Sequence, residues 1–127
     1  MFLDEMIAHA IREYPLEACG LISGEKDLVK GFYKTRNDAA SARIYTVNPL
    51  DYLKADRDAE KNGASIIGVV HSHTHSDAYP SPTDVVQAPD PAWHYILVSL
   101  KHIDPILRSF TIIDGNIVEE SVVRLNC

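Results

Sequence analysis

The hydrophobic positions follow a helical period in some stretches and an extended one in others. Leu3, Met6, Ile7, Ala10, Ile11 and Tyr14 recur every three to four residues, which predicts an amphipathic helix of three turns closed by Pro15. His9 lies off that stripe and is expected on the solvated face. Two strands follow, Glu17 to Gly24 and Asp27 to Thr35, joined by a turn at Gly24-Glu25-Lys26. Residues 36–42 are polar and Ala-rich and read as a loop. Arg43 to Val47 alternates and reads as a third strand, with Tyr45 by default a packed strand aromatic and, as the alternative, one that lines a groove. Asn48-Pro49 opens a second helix. Its apolar positions are Leu50, Leu53, Ala55 and Ala59, its charges form a solvated face, and Gly63 stops it. Ile66 to Val70 is a short β-branched run preceded by Gly63, the pattern of a buried strand. A helix begins at Ser81 and is broken by Pro89 and Pro91. Ala92 to Leu100 is a strong buried strand in which His94 reads as a hydrogen-bonded core histidine. Ile106–Ile113, Asp114-Gly115 and Asn116–Leu125 form a hairpin, because Asp-Gly favours the turns that hairpins need. No repeat, linker or low-complexity tract divides these elements, so residues 1–127 are expected to form one domain of the α/β class, a mixed or curved sheet flanked by helices.

The candidate chemistry lies where the Ile66–Val70 strand ends. Side chains alternate faces along a strand, so His71 and His73 point the same way and can share one metal ion. Catalytic zinc commonly takes three protein ligands and leaves a fourth position for water, and Asp84 is the natural third. His75 is the rival third ligand, since it continues the period of two, although Ser76, Asp77 and Pro80 argue that the strand stops before it. Ser81-Pro82-Thr83-Asp84 also has a purely structural reading: Ser81 as N-cap, Pro82 at the first helical position and Asp84 as the acid of a capping box. The two readings are compatible. Glu17 taken alone is a surface carboxylate just past a helix; beside the downstream motif it becomes a candidate general base. Cys19 reads as a small buried strand residue, because no basic partner is evident to lower its pKa.

His71-x-His73, Pro80-Ser81-x-x-Asp84 and the upstream Glu17 together resemble the JAMM (MPN+) metalloprotease signature, over nearly the whole chain. The resemblance implies a cytidine-deaminase-like α/β fold, Zn²⁺ on His71, His73 and Asp84, Glu17 as acid–base, and Ser81 as an oxyanion donor. The spacing itself shows only an N-cap at Ser81. Many members carry Pro after the His-x-His pair, where this chain has Thr74. Thr is usual in the bacterial subgroup that hydrolyses cysteine from the C-terminus of a ubiquitin-like sulfur-carrier protein. That subgroup implies a Gly-Gly tail as substrate and a place in cysteine biosynthesis. The alternatives are an isopeptidase of the deubiquitinating kind with another substrate, and a non-catalytic MPN binding module. Non-catalytic relatives typically lack one of the positions matching Glu17, His71, His73 and Asp84, and this chain has all four. A nucleobase deaminase needs His-x-Glu and Pro-Cys-x-x-Cys, and common metalloproteases need His-Glu-x-x-His; these are absent.

Composition narrows the partners. A formal charge of −6 and the lack of a Lys/Arg run argue against a nucleic-acid surface. Acids at Asp4 and Glu5 stand where a signal peptide needs basic residues, and no apolar run nears the ~18 residues of a membrane span. The cytoplasm is therefore the expected compartment. Two cysteines, Cys19 and Cys127, cannot build a Cys-rich zinc site, so any zinc must sit on His and carboxylate. The sequence leaves self-association into a homodimer open.

Overall fold

The computed structural model describes residues 2–41, 45–88 and 90–124. Six strands form one sheet in the order β2-β1-β3-β4-β5-β6. They are β1 (Cys19–Glu25), β2 (Leu28–Thr35), β3 (Ser65–His73), β4 (His94–Ser99), β5 (Ile106–Ile113) and β6 (Asn116–Glu120). Only β3 and β4 run parallel; every other neighbouring pair is antiparallel. The mixed sheet expected from the sequence is thus present. Among the described residues three helices accompany it: α1 (Phe2–Glu13), α2 (Pro49–Lys61) and α3 (Pro82–Val86), the last inside the β3–β4 crossover. No described helix is long and apolar enough to cross a membrane.

The sheet has a core on each face. Met6 and Ala10 of α1 pack with Ile22, Ile67, Val70, Ile96 and Val98 on one side. Ala55 and Ala59 of α2 pack with Leu21, Ile66, Val69, Tyr95 and Ile112 on the other. Ile66 and Val69 share a face although three residues apart. The β1–β3 register shifts between Ile22 and Ser23, where Ile22 faces Gly68 and Ser23 faces Ile66. One extra residue in β3 reverses the alternation there. After this bulge Val69, His71 and His73 take the α2 face, and Val70 and Ser72 take the α1 face. Gly68 is required beside it, because a Cβ there would lie 2.2 Å from the His94 carbonyl oxygen on the parallel neighbour.

The local signals act as expected at most element ends. Asn48 caps α2, its side chain accepting from the Asp51 amide at 3.0 Å, and Gly63 follows the helix with φ +71. Asp114 and Gly115 both have positive φ, 51 and 78, as the hairpin turn needs.

Four expectations are corrected. The third strand does not form: Arg43 and Ile44 lie outside the described residues, Tyr45 and Thr46 are not extended into a ladder, and Val47 makes one isolated bridge to Asn37. The Asn37 side chain accepts the amide hydrogens of Ala39 and Thr46, so local side-chain bonds replace strand pairing. His9 is not solvated. It lies on the buried face of α1, and its Nε2–H donates to the Cys19 carbonyl at 2.9 Å, while Ile11 and Tyr14 of the predicted stripe stay about half exposed. On α2, Leu50 and Leu53 are exposed, and the small Ala55 and Ala59 make the contact. The last strand ends at Glu120, and Leu125 and Cys127 lie outside the described residues.

Candidate metal centre

β3 delivers the first two donors. Its pairing runs to His71 with β1 and to His73 with β4, so both imidazoles project from a fixed backbone onto the α2 face. α3 delivers the third. Ser81 Oγ accepts from the Asp84 amide at 3.1 Å, and Asp84 Oδ2 accepts from the Ser81 amide at 2.8 Å, completing the capping box. The helix start therefore fixes the aspartate against the strand end.

Donor atoms of His71, His73 and Asp84 converge within 4.8 Å of one another, and all three residues are buried. His71 Nε2 and His73 Nε2 lie 3.2 and 3.0 Å from the same oxygen, Asp84 Oδ2. His73 Nδ1–H donates to the Asp77 carbonyl at 2.8 Å, which turns the Nε2 lone pair toward Asp84. Nitrogen and oxygen lone pairs at that range repel unless a proton or a cation stands between them. Four ligands at ~2.0–2.1 Å around a tetrahedral ion lie about 3.3 Å apart, which matches both distances. Both ring nitrogens of His71 and Glu17 Oε1 are buried with no hydrogen-bond partner among the described residues. Each such group costs about 1–3 kcal/mol unless something satisfies it. The donor set fits a metal ion.

Protonation preferences agree. Burial pushes the His71 pKa down, keeping the ring neutral, as a ligand must be. Burial opposes ionisation of Asp84, but His71, His73 and the Ser81 amide outweigh it and hold the carboxyl well below its usual range. Burial also opposes charge on His73, yet Asp84 and the Asp77 carbonyl raise its pKa. Glu17 is pushed up to about 7, first by burial and further by the Asp84 charge, with His73 acting the other way. A carboxyl with that pKa can both accept and donate a proton near neutrality.

Glu17 lies two residues before β1 rather than inside a strand. Its amide donates to the Ser41 carbonyl at 2.7 Å, and its carbonyl accepts from Asn37 Nδ2 at 2.9 Å. Ala18, next to it, is held twice by Ser72: the Ala18 amide donates to Ser72 Oγ at 2.7 Å, and the Ser72 amide donates to the Ala18 carbonyl at 3.0 Å. Ser72 faces away from His71 and His73, as alternation requires, yet it ties the glutamate's segment to the strand that carries both histidines.

His75 is exposed and outside the cluster, paired with Thr74 Oγ1 at 2.9 Å. The Cys19 thiol is buried beside Thr35 Oγ1 at 3.2 Å and pushed up to about 11 by that burial, as its structural reading requires. Half-buried His94 bridges Glu120 and Asp27. One contact was not anticipated. The Tyr45 ring stacks on His71, with centroids 4.2 Å apart and planes 22° from parallel.

A His-x-His pair at the end of a central strand and a helix-borne aspartate, on a mixed sheet with helices on both faces, define a JAMM-type domain. The chain belongs to the prokaryotic homologs of the JAB domain, whose family model matches residues 2–113. It is 38% identical over 125 residues to the CysO-cysteine peptidase of Mycobacterium tuberculosis, covering 94% of this chain and 84% of that one. It is 34% identical over 86 residues to a probable TtuB-protein conjugate cleaving protease of Thermus thermophilus, covering 68% and 58%. The fold matches a JAB1/MPN domain protein of Archaeoglobus fulgidus with a TM-score of 0.62, at 21% identity, over 96% of this chain and 94% of that one.

Proposed function

We propose that this chain is a zinc-dependent peptidase that hydrolyses the C-terminal cysteine from a ubiquitin-like sulfur-carrier protein ending in Gly-Gly, a step of cysteine biosynthesis. The observation that carries the proposal is the convergence of buried His71, His73 and Asp84 beside a buried Glu17 whose pKa is about 7. The names of the Mycobacterium and Thermus relatives, a CysO-cysteine peptidase and a probable TtuB-protein conjugate cleaving protease, support the substrate class.

His71, His73 and Asp84 would hold the ion. When bound, zinc supplies Lewis acidity toward water and carbonyl oxygen at neutral pH. Glu17 takes the proton from the attacking water and returns it to the leaving amine. Burial makes that exchange feasible, since it brings the carboxyl close to the pH of the medium. Ser81 has its oxygen engaged by the Asp84 amide, which leaves its O–H free to donate to the developing oxyanion. Ser72 and Asn37 position the Glu17 segment and touch no reacting atom.

The test incubates the zinc-loaded protein with a Gly-Gly-Cys-ended carrier and follows intact mass. Loss of one cysteine residue is expected, and an unchanged mass refutes the reading. The Thermus relative's name favours a second reading, cleavage of a carrier joined to another protein. A carrier linked to a lysine side chain, run in parallel, separates the two.

A further inference from the structure

A cavity of about 490 Å³ opens beside the metal centre. Its floor is Leu21 and Val69, its walls are Tyr45, Tyr52 and Trp93, and Gln87 stands among its lining residues. Tyr52 and Trp93 stack with centroids 6.2 Å apart. Tyr45 belongs to both places, since the ring that lines the cavity also stacks on His71. Val69 precedes His71 by two residues on the same face, about 7 Å along the strand. Gln87 follows Asp84 by about one helical turn, about 5 Å along the axis. The cavity and the centre are neighbours on one surface.

We infer that this cavity is the side-chain subsite for a large apolar residue immediately before the Gly-Gly of the carrier tail. The inference rests on the carrier reading given above. An extended peptide advances ~3.3 Å per residue, so a side chain two to three residues from the cleaved bond reaches the cavity when that bond sits at the centre. Only one residue, the departing cysteine, lies on the C-terminal side of the bond. The residue in the cavity is therefore upstream, and the two glycines span the interval past Tyr45. Size and chemistry select an apolar occupant. A cavity of ~150 Å³ lined by aliphatic side chains already accepts benzene, and this one is about three times larger. Among the described residues no basic side chain lines it and Asp90 does, so an acidic residue meets a like charge there. Cysteine is too small to fill it.

The test uses carriers ending X-Gly-Gly-Cys, with X as Leu, Phe, Ala or Asp. A pocket that buries the extra carbons gives Leu or Phe a kcat/KM on the order of 10–100-fold above Ala, with Asp lowest. Trp93 is the chain's single tryptophan and reports occupancy without turnover. In metal-free protein its emission is expected to shift with an acetyl-Leu-Gly-Gly peptide and not with acetyl-Ala-Gly-Gly. Tyr52→Ala is expected to narrow the Leu/Ala preference at least fivefold. A Leu/Ala ratio within twofold of one, or a Trp93 emission indifferent to the Leu peptide, overturns the subsite. If no Gly-Gly-Cys carrier is cleaved whatever X is, the proposed function fails, and the Trp93 titration alone decides the subsite.

Discussion

His73 Nε2 lies 3.0 Å from Asp84 Oδ2 while the other nitrogen of the same ring donates to the Asp77 carbonyl. That second bond fixes the tautomer and aims a lone pair at a carboxylate oxygen. In metal-free protein the contact needs a proton, which is why His73 is raised while Asp84 is lowered. With an ion between them, attraction replaces the conflict. Zinc is therefore expected to stabilise the fold by mass action, about 4 kcal/mol at a thousand times Kd. The check is thermal unfolding with zinc and with chelator, where zinc should raise Tm by roughly 15 °C.

Glu17→Gln should separate activity from stability. Glu17 binds its proton more tightly in the fold, about 7 against an ordinary 4.5. Stability of the metal-free protein therefore falls as pH rises between those values and is level above them. At about 1.4 kcal/mol per pKa unit, the ionised carboxylate costs up to ~3 kcal/mol. The variant should then unfold several degrees higher than wild type at pH 8 and equally at pH 4.5. Hydrolysis should fall by 10²-fold or more, the usual range for a lost acid–base group. Melting curves at the two pH values, beside single-turnover rates, test both parts.

Ser81→Ala should damage two things at once. Removing the cap on α3 costs about 1 kcal/mol. Losing an oxyanion donor costs on the order of 10²–10³ in kcat. Ser81→Thr keeps the hydroxyl and should recover most of both. A variant with Ala that loses stability yet keeps kcat leaves Ser81 as a cap only.

His9→Ala tests the corrected burial of α1. The ring fills space against Phe32, at a centroid distance of 6.1 Å, and satisfies the Cys19 carbonyl two residues after Glu17. Its loss should cost about 1–3 kcal/mol in denaturant unfolding. Zinc stoichiometry should stay as in wild type.

The fold was legible wherever local chemistry sets it. Asn48-Pro49, Gly63, Asp114-Gly115 and Ser81-Pro82 each act through their own backbone, and each sits where the sequence puts it. The His-x-His pair was legible because alternation alone puts both rings on one face. What stayed hidden depends on register between distant segments. Ser72 looks idle until β1 lies antiparallel to β3, and its bonds to Ala18 then anchor the glutamate's segment. Tyr45 looks like an ordinary strand aromatic until Asn37 gathers its loop and lays the ring over His71. His9 breaks the helical stripe because a buried carbonyl, not an apolar neighbour, is what it meets.

Metal content of three proteins tests the account most directly: wild type, His71→Ala and Asp84→Ala, each dialysed against zinc and measured by elemental analysis. One zinc per wild-type chain and none in either variant is the predicted result. Zinc retained at one per chain after both substitutions, or lost only when His75 is replaced, would contradict the ligand set.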